Sequence, residues 1–324
     1  PNALLTLAVT FGCVMTLAPV LTREASGRDF AAALLYFANF HFAARALDYF
    51  DQGQQASPIL HFWSLSVEEQ FYGVWPICIA LGLMVFKRFN RLSTLLFLFV
   101  VTTTSLWAMV HWAKYQPSRS FFDTEARVWQ LATGAMLAVW LSGPTPRRQG
   151  SAAIGWFGLA GIFLSIAFLG QLPLNPRIAS IAPTIATAAA LYGGSANNTY
   201  ATNIALGNAA MQWIGRRSYS LYLWHWPLLL FAAPLVGRTF AIVLIFIVAS
   251  AAFRWVEQPI RILAPIRLVP WKLVAAGAAI CCGTAAMAIV VPKMDPAYAS
   301  ARGAILKRLI DAKNDGPRKV GARC

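Results

Sequence analysis

The chain has 324 residues, of which 58% are hydrophobic and only 12% charged, against roughly 45–50% and 25% in an ordinary soluble domain. So much apolar surface cannot be hidden behind a polar shell, which excludes an aqueous fold and leaves hydrocarbon as the main solvent. The formal charge of +15 comes from 27 Lys and Arg that sit mostly in short gaps between apolar runs, where they set topology and meet membrane lipid, so no nucleic-acid partner is expected.

Taken in chain order, apolar runs of the length that crosses a bilayer, about 17–25 residues, lie at 3–21, 62–86, 93–113, 123–142, 151–169, 218–236, 239–255 and 271–291. A shorter run at 179–193 brings the expectation to about nine spans. The stretch 29–42 is apolar and aromatic but only about 14 residues long, which fits a re-entrant or interfacial segment. The expected fold is therefore an all-α polytopic integral membrane protein.

Basic residues cluster in alternate connections: Lys87, Arg88 and Arg91, then Arg147 and Arg148, then Arg216 and Arg217, then Arg254, Arg261, Arg267 and Lys272. The connections between them hold only Lys114, Arg119, Arg177 and Arg238. The positive-inside rule places the first set in the cytoplasm. Residues 22–61 then form a long external segment, and the last span delivers residues 292–324 to the outside as a polar linker. Residues 1–291 read as one membrane domain. The first residue is Pro1, and its run has neither the basic flank nor the cleavage site of a signal peptide, so a chain trimmed at its ends is expected.

Cys13, Cys78, Cys281 and Cys282 fall inside apolar runs with no His or Cys at ligand spacing and read as small buried residues, so no metal site is expected. Cys324 ends the polar tail and fits half of a disulfide.

Four motifs carry polar chemistry. In His61-Phe62-Trp63-Ser64-Leu65-Ser66-Val67-Glu68-Glu69-Gln70-Phe71-Tyr72, two adjacent carboxylates enter a span from its outer end, a costly placement that is a functional hypothesis by default. His61, Ser64, Glu68 and Tyr72 share one helical face, where carboxylate, imidazole and hydroxyl could do acid-base work on an alcohol. The Glu pair reads equally well as ion-pair partners for arginines of neighbouring helices. In Trp213-Ile214-Gly215-Arg216-Arg217-Ser218-Tyr219-Ser220-Leu221-Tyr222-Leu223-Trp224-His225-Trp226-Pro227, the residues Ser218, Tyr222 and His225 lie on one face above Arg216 and Arg217. Those arginines suit the phosphates of a nucleotide-bearing donor, and equally lipid phosphates.

In the third motif, Arg254 and Glu257 are spaced to pair as a structural clasp before Pro259 ends the helix. In the fourth, Thr124-Glu125-Ala126-Arg127-Val128-Trp129-Gln130, the guanidinium of Arg127 enters an apolar span and needs an anion, for which Glu68 or Glu69 is the natural partner.

The runs from His61 to Tyr72 with Pro76, from Gly215 to Pro227, and from Arg254 to Arg261 resemble three signatures of the acyltransferase-3 family, in that family's order. The similarity covers the chain from Pro1 to about Arg267. The added span at 271–291 with its external tail resembles the subgroup in which an SGNH-hydrolase-type domain follows the membrane domain. The resemblance implies a bacterial plasma-membrane O-acyltransferase that takes an acyl group, commonly acetyl, from acyl-CoA and places it on a glycan or lipid-linked glycan such as O-antigen, with no bound cofactor.

The resemblance favours a functional Glu68, and the outer motif supplies His61 and Glu69 as further candidate catalytic residues. The resemblance implies substrate binding by Arg127, Gln70, Tyr72, Trp63, Arg216, Arg217, Ser218, Tyr222 and His225. The family's first two spans, with the histidine usually regarded as catalytic, have no counterpart here, so the chain by itself is expected to be inactive. Where the family has Glu after Arg-x-Trp, this chain has Gln130, which can neither act as a base nor balance the arginine. The competing readings are a polytopic transporter or lipid-carrier flippase, and an inactive remnant.

Overall fold

The computed structural model describes residues 1–52, 57–85, 90–142, 151–169, 179–195, 202–263 and 271–314. In chain order the helices are α1 (Asn2–Leu17), α2 (Val20–Leu34), α3 (Ala38–Gln52), α4 (Phe62–Val85), α5 (Arg91–Tyr115), α6 (Pro117–Phe122), α7 (Val128–Leu141), α8 (Ala152–Phe168) and α9 (Ile181–Gly194). There follow α10 (Asn203–Leu206), α11 (Ala209–Phe231), α12 (Ala233–Val236), α13 (Arg238–Ala252), α14 (Gln258–Leu263), α15 (Trp271–Met294) and α16 (Pro296–Asn314). No strand occurs among the described residues. Among the described residues three helical segments, Arg91–Tyr115, Arg238–Ile262 and Gly277–Met294, are long and apolar enough to cross a membrane, and α1, α7 and α8 are shorter apolar helices. The all-α membrane character is as expected. The cytoplasmic markers Lys87, Arg88, Arg147, Arg148 and Arg267, the external Arg177, and Cys324 lie outside the described residues.

The stretch 29–42 is not one short segment. Helix α2 ends at Leu34, and α3 begins at Ala38. Between them the Phe37 N–H donates to the Ala32 carbonyl at 2.8 Å and the Tyr36 N–H to that of Ala33 at 3.1 Å, the paired bonds of a Schellman C-cap. The left-handed position of that motif belongs to Tyr36, with φ of 53°. Glycine normally occupies it, so no punctuation in the sequence betrayed the break.

The fold divides into two compact units. The first comprises Pro1–Phe37, Gln55–His61 and Ser220–Cys324, the second Ala38–Gln54 and Phe62–Tyr219. In the first, the charged helix α2 packs on α15 so closely that a Cβ at Gly27 would stand 2.2 Å from the Ala288 carbonyl oxygen. At the end of that contact Arg23 pairs with Asp295 at 2.6 Å, and the Tyr298 hydroxyl donates to Glu24. Part of the tail expected as a linker is thus the helix α16, which packs on α2.

In the second unit, α8 and α9 approach through small residues: a Cβ on Gly158 would lie 2.3 Å from Ala190 N, and one on Gly193 2.2 Å from Gly155 Cα. Helix α7 packs on α5 around buried Met109, Ala126 and Trp129. Its first turn has Arg127 at the N-cap with no capping side chain. Ser105 of α5 supplies the cap instead, accepting from Trp129 N at 2.9 Å and donating to the Glu125 carbonyl at 2.6 Å.

Candidate functional site

Each unit contains a polar centre. In the first unit it is built on α11. Ser220 is fully buried there, and its Oγ donates to Glu257 Oε2 at 2.6 Å. Asn2 Nδ2, from the first turn of α1, donates to Ser220 Oγ at 2.7 Å and to Glu257 Oε2 at 3.2 Å, while Trp224 Nε1 donates to Asn2 Oδ1 at 3.4 Å.

Glu257 reaches this position because the helix after α13 loosens into a π turn over Phe253–Glu257. The extra residue in that turn rotates the downstream part of the helix, and turns of this kind are frequent at functional sites. The other carboxylate oxygen, Oε1, pairs with Arg261 at 2.9 Å. The expected clasp is therefore corrected: the partner of Glu257 is Arg261, one α-helical turn further on, and Arg254 is exposed.

Beside this network stand two imidazoles and a phenol. The His61 and His225 rings have centroids 5.3 Å apart, and Tyr222 lies 5.5 Å from the first and 5.4 Å from the second. Tyr222 donates its hydroxyl to the His61 carbonyl, and Trp226 Nε1 donates to the Ser57 carbonyl at 2.9 Å.

Both tautomers are set by these contacts, because a carbonyl can only accept. His61 Nε2 lies 3.1 Å from the Leu223 carbonyl and carries its proton. His225 Nδ1 lies 2.6 Å from the Tyr222 carbonyl, so Nδ1 is protonated and Nε2 is the basic nitrogen. An imidazole whose Nδ1 donates to the backbone presents Nε2 as the nitrogen open to proton transfer.

The polar centre of the second unit lies at the start of α4 and α7. Asn39 Nδ2 donates to Thr124 Oγ1 at 3.0 Å, Thr124 donates to Gln70 Oε1, and Gln70 Nε2 returns to Asn39 Oδ1 at 2.9 Å, closing a ring of three side chains. Next to it Arg119 pairs with Asp123 at 2.7 Å and with Glu125 at 3.0 Å. The hydrogen bond to Asp123 holds the Arg119 guanidinium above its ordinary pKa. Buried Arg127 donates from Nε to the Phe121 carbonyl at 2.8 Å and lies over the rings of Trp63 and Phe121 at 5.2 and 4.8 Å.

Several sequence expectations are redistributed by this geometry. His61 lies one residue before α4 and belongs to the first unit, whereas Ser64, Glu68 and Tyr72, the rest of the expected face, lie on α4 in the second. Arg127 is met by aromatic faces and a carbonyl rather than by Glu68 or Glu69, and Glu68 and Tyr72 are exposed. His61 and His225, expected at opposite ends of the membrane domain, stand ring to ring. Of the expected donor cluster, Arg216 and Ser218 are exposed, and Arg217 lies 4.2 Å over the Trp213 ring. Gln130 reaches Thr184 Oγ1 at 3.5 Å. Asn2, Asn39 and Ser220 were not anticipated as site residues; the one available signal was an amide or hydroxyl embedded in an otherwise apolar run.

The family model described as an acyltransferase domain matches residues 4–256. The chain belongs to the acyltransferase-3 family. The matched range takes in the His61, Tyr222 and His225 cluster and stops one residue short of Glu257.

Named relatives within this similarity are O-acetyltransferases. The putative peptidoglycan O-acetyltransferase YrhL of Bacillus subtilis is 27% identical over 250 residues, covering 72% of this chain and 39% of that protein. The peptidoglycan O-acetyltransferase OatA of Listeria monocytogenes is 29% identical over 253 residues, covering 72% and 40%. The O-acetyltransferase OatA of Staphylococcus aureus is 30% identical over 256 residues, covering 72% and 41%. The aligned region thus spans about two fifths of the length of these curated relatives. No solved structure matches the chain.

Proposed function

We propose that the protein carries out O-acyl transfer in a bacterial plasma membrane, moving an acetyl group from acetyl-CoA to a hydroxyl of an extracytoplasmic glycan. The observation that carries this reading is the tautomer of His225 within the family's most specific motif: Nδ1 is spent on the Tyr222 carbonyl, and Nε2 is left as the base. Transfer from a thioester to an alcohol needs the alcohol proton removed as its oxygen attacks the acyl carbon, and the same proton handed on to the departing thiolate. His225 Nε2 can serve both steps. His61 and Tyr222 act as positioning residues, fixing the backbone of α11 to the segment before α4. Arg216 and Arg217 are the candidate contacts for the phosphates of the donor. The names of the relatives favour peptidoglycan over O-antigen as the acceptor.

The test is His225→Gln in the full-length protein in its host, reading acetate released by mild base from purified cell-wall glycan alongside membrane abundance. General-base loss should lower ester content by about 100-fold or more at unchanged abundance. Unchanged ester content would remove His225 from the chemistry.

A further inference from the structure

The second unit holds a groove of about 800 Å³ that the transfer chemistry does not use, near the upper end of the range of small-molecule sites, roughly 300–1,000 Å³. Its wall is aromatic and aliphatic: Phe71 stacks on Trp75 at 5.4 Å and Trp75 on Phe97 at 5.9 Å, and Val74, Val101 and Trp107 complete it. One end is polar, formed by Gln70, Thr124, Arg119 and Glu125. From Gln70 to Cys78 along α4 the groove runs about 12 Å at 1.5 Å per residue, from the polar mouth into the apolar wall.

The mouth selects its occupant by charge. Arg119 is the lining cation, and its guanidinium is already engaged by two carboxylates, Asp123 and Glu125. The cluster therefore carries a net charge of about −1, which repels a phosphate head group and leaves amide, hydroxyl and carboxylate groups suited to the hydroxyls of an uncharged polyol. The wall suits a single apolar chain.

We infer that this groove binds a glycosylated lipid with an uncharged, hydroxyl-rich head, its chain along Phe71, Trp75 and Phe97 and its first sugar at Gln70, Thr124 and Glu125. The binding is independent of the acyl-transfer reading above, and its test reads no acyl transfer.

The experiment places the full chain in phosphatidylcholine nanodiscs and labels it with two photoactivatable probes of one chain length, an alkyl maltoside and an alkyl phosphate. Label from the maltoside should concentrate on residues 70–78 and 97–107, with unlabelled alkyl maltoside competing at least ten-fold better than alkyl phosphate. Val101→Trp, which fills the groove, should abolish that label while leaving label at exposed Phe163 of α8 unchanged. Glu125→Lys provides a variant outside the apolar wall and should reverse the preference towards the phosphate probe. Equal labelling by both probes, or labelling of the groove no stronger than at Phe163, would make the occupant ordinary bilayer lipid and overturn the inference.

Discussion

Between α8 and α9 the contact is made by Gly155, Gly158 and Gly193 lying against the backbone of the facing helix. Between α1 and α11 it is made by Asn2, Ser220 and Trp224 sharing hydrogen bonds, with Glu257 accepting from two of them. Lipid tails are as apolar as leucine, so burial of apolar surface does little to bring helices together in a bilayer. Close backbone approach and interhelical hydrogen bonds remain as the two available means. One pair tolerates no added volume; the other tolerates no lost partner. Only the second brings chemistry into the interior.

The largest effect on stability is expected where volume is added. Gly158→Leu must displace the backbone of α9, since even a Cβ would lie 2.3 Å from Ala190 N and 2.6 Å from the Ala186 carbonyl. Overpacking of this kind costs about 3 kcal/mol or more, and membrane abundance should fall sharply in an immunoblot. Gly12→Ala in α1, where a Cβ meets nothing within 4 Å, should leave abundance unchanged. A neutral Gly158→Leu would show that the glycines are incidental.

The polar pair should respond to chemistry rather than size. Glu257→Leu keeps much of the volume but strands the buried donors of Ser220 and Asn2, at about 2–3 kcal/mol. Glu257→Gln retains an acceptor oxygen and should cost about 1 kcal/mol. Thermal unfolding in detergent distinguishes them, and equal losses would place the stabilising element in the Arg261 ion pair instead.

The smallest effect extends the comparison to the contact of α16 with α2. The hydrogen bond from Tyr298 holds the Glu24 carboxyl below the usual carboxylate range. A carboxylate with a depressed folded pKa stabilises above its ordinary pKa and loses that contribution as pH falls through the folded value. Docking of α16 on α2 should therefore weaken on acidification below about pH 4. Tyr298→Phe should flatten that dependence, as read by hydrogen exchange over residues 296–310. A variant that kept the full acid response would move its origin to Arg23 and Asp295.

The sequence was most legible where apolar length decides the outcome. Helices occupy the expected runs because hydrocarbon forces every backbone group to pair within its own segment. The polar signatures were also visible as rare residues in apolar surroundings, and the Gly215–Pro227 run indeed holds Ser220, Tyr222 and His225. Pairings across distant segments were not legible. That His61 meets Leu223 and Tyr222 of α11 could not be read from spacing within one motif. The contacts of Arg127 were not legible because aromatic faces and a backbone carbonyl can hold a guanidinium where charge alone suggests a carboxylate. The Tyr36 break was hidden because its left-handed position lacks the glycine that would announce it.

The π turn at Phe253–Glu257 has a consequence for how such chains diverge. Losing one residue from it would shorten the segment by only about 1.5 Å, well within the range a bilayer absorbs by tilt. The same loss would swing every later side chain by about 100° around the helix and carry Glu257 away from Ser220 and Asn2. Hydropathy would scarcely register the deletion, while the interior would lose its acceptor. Along this span, then, the position of Glu257 depends on residue count as much as on residue identity.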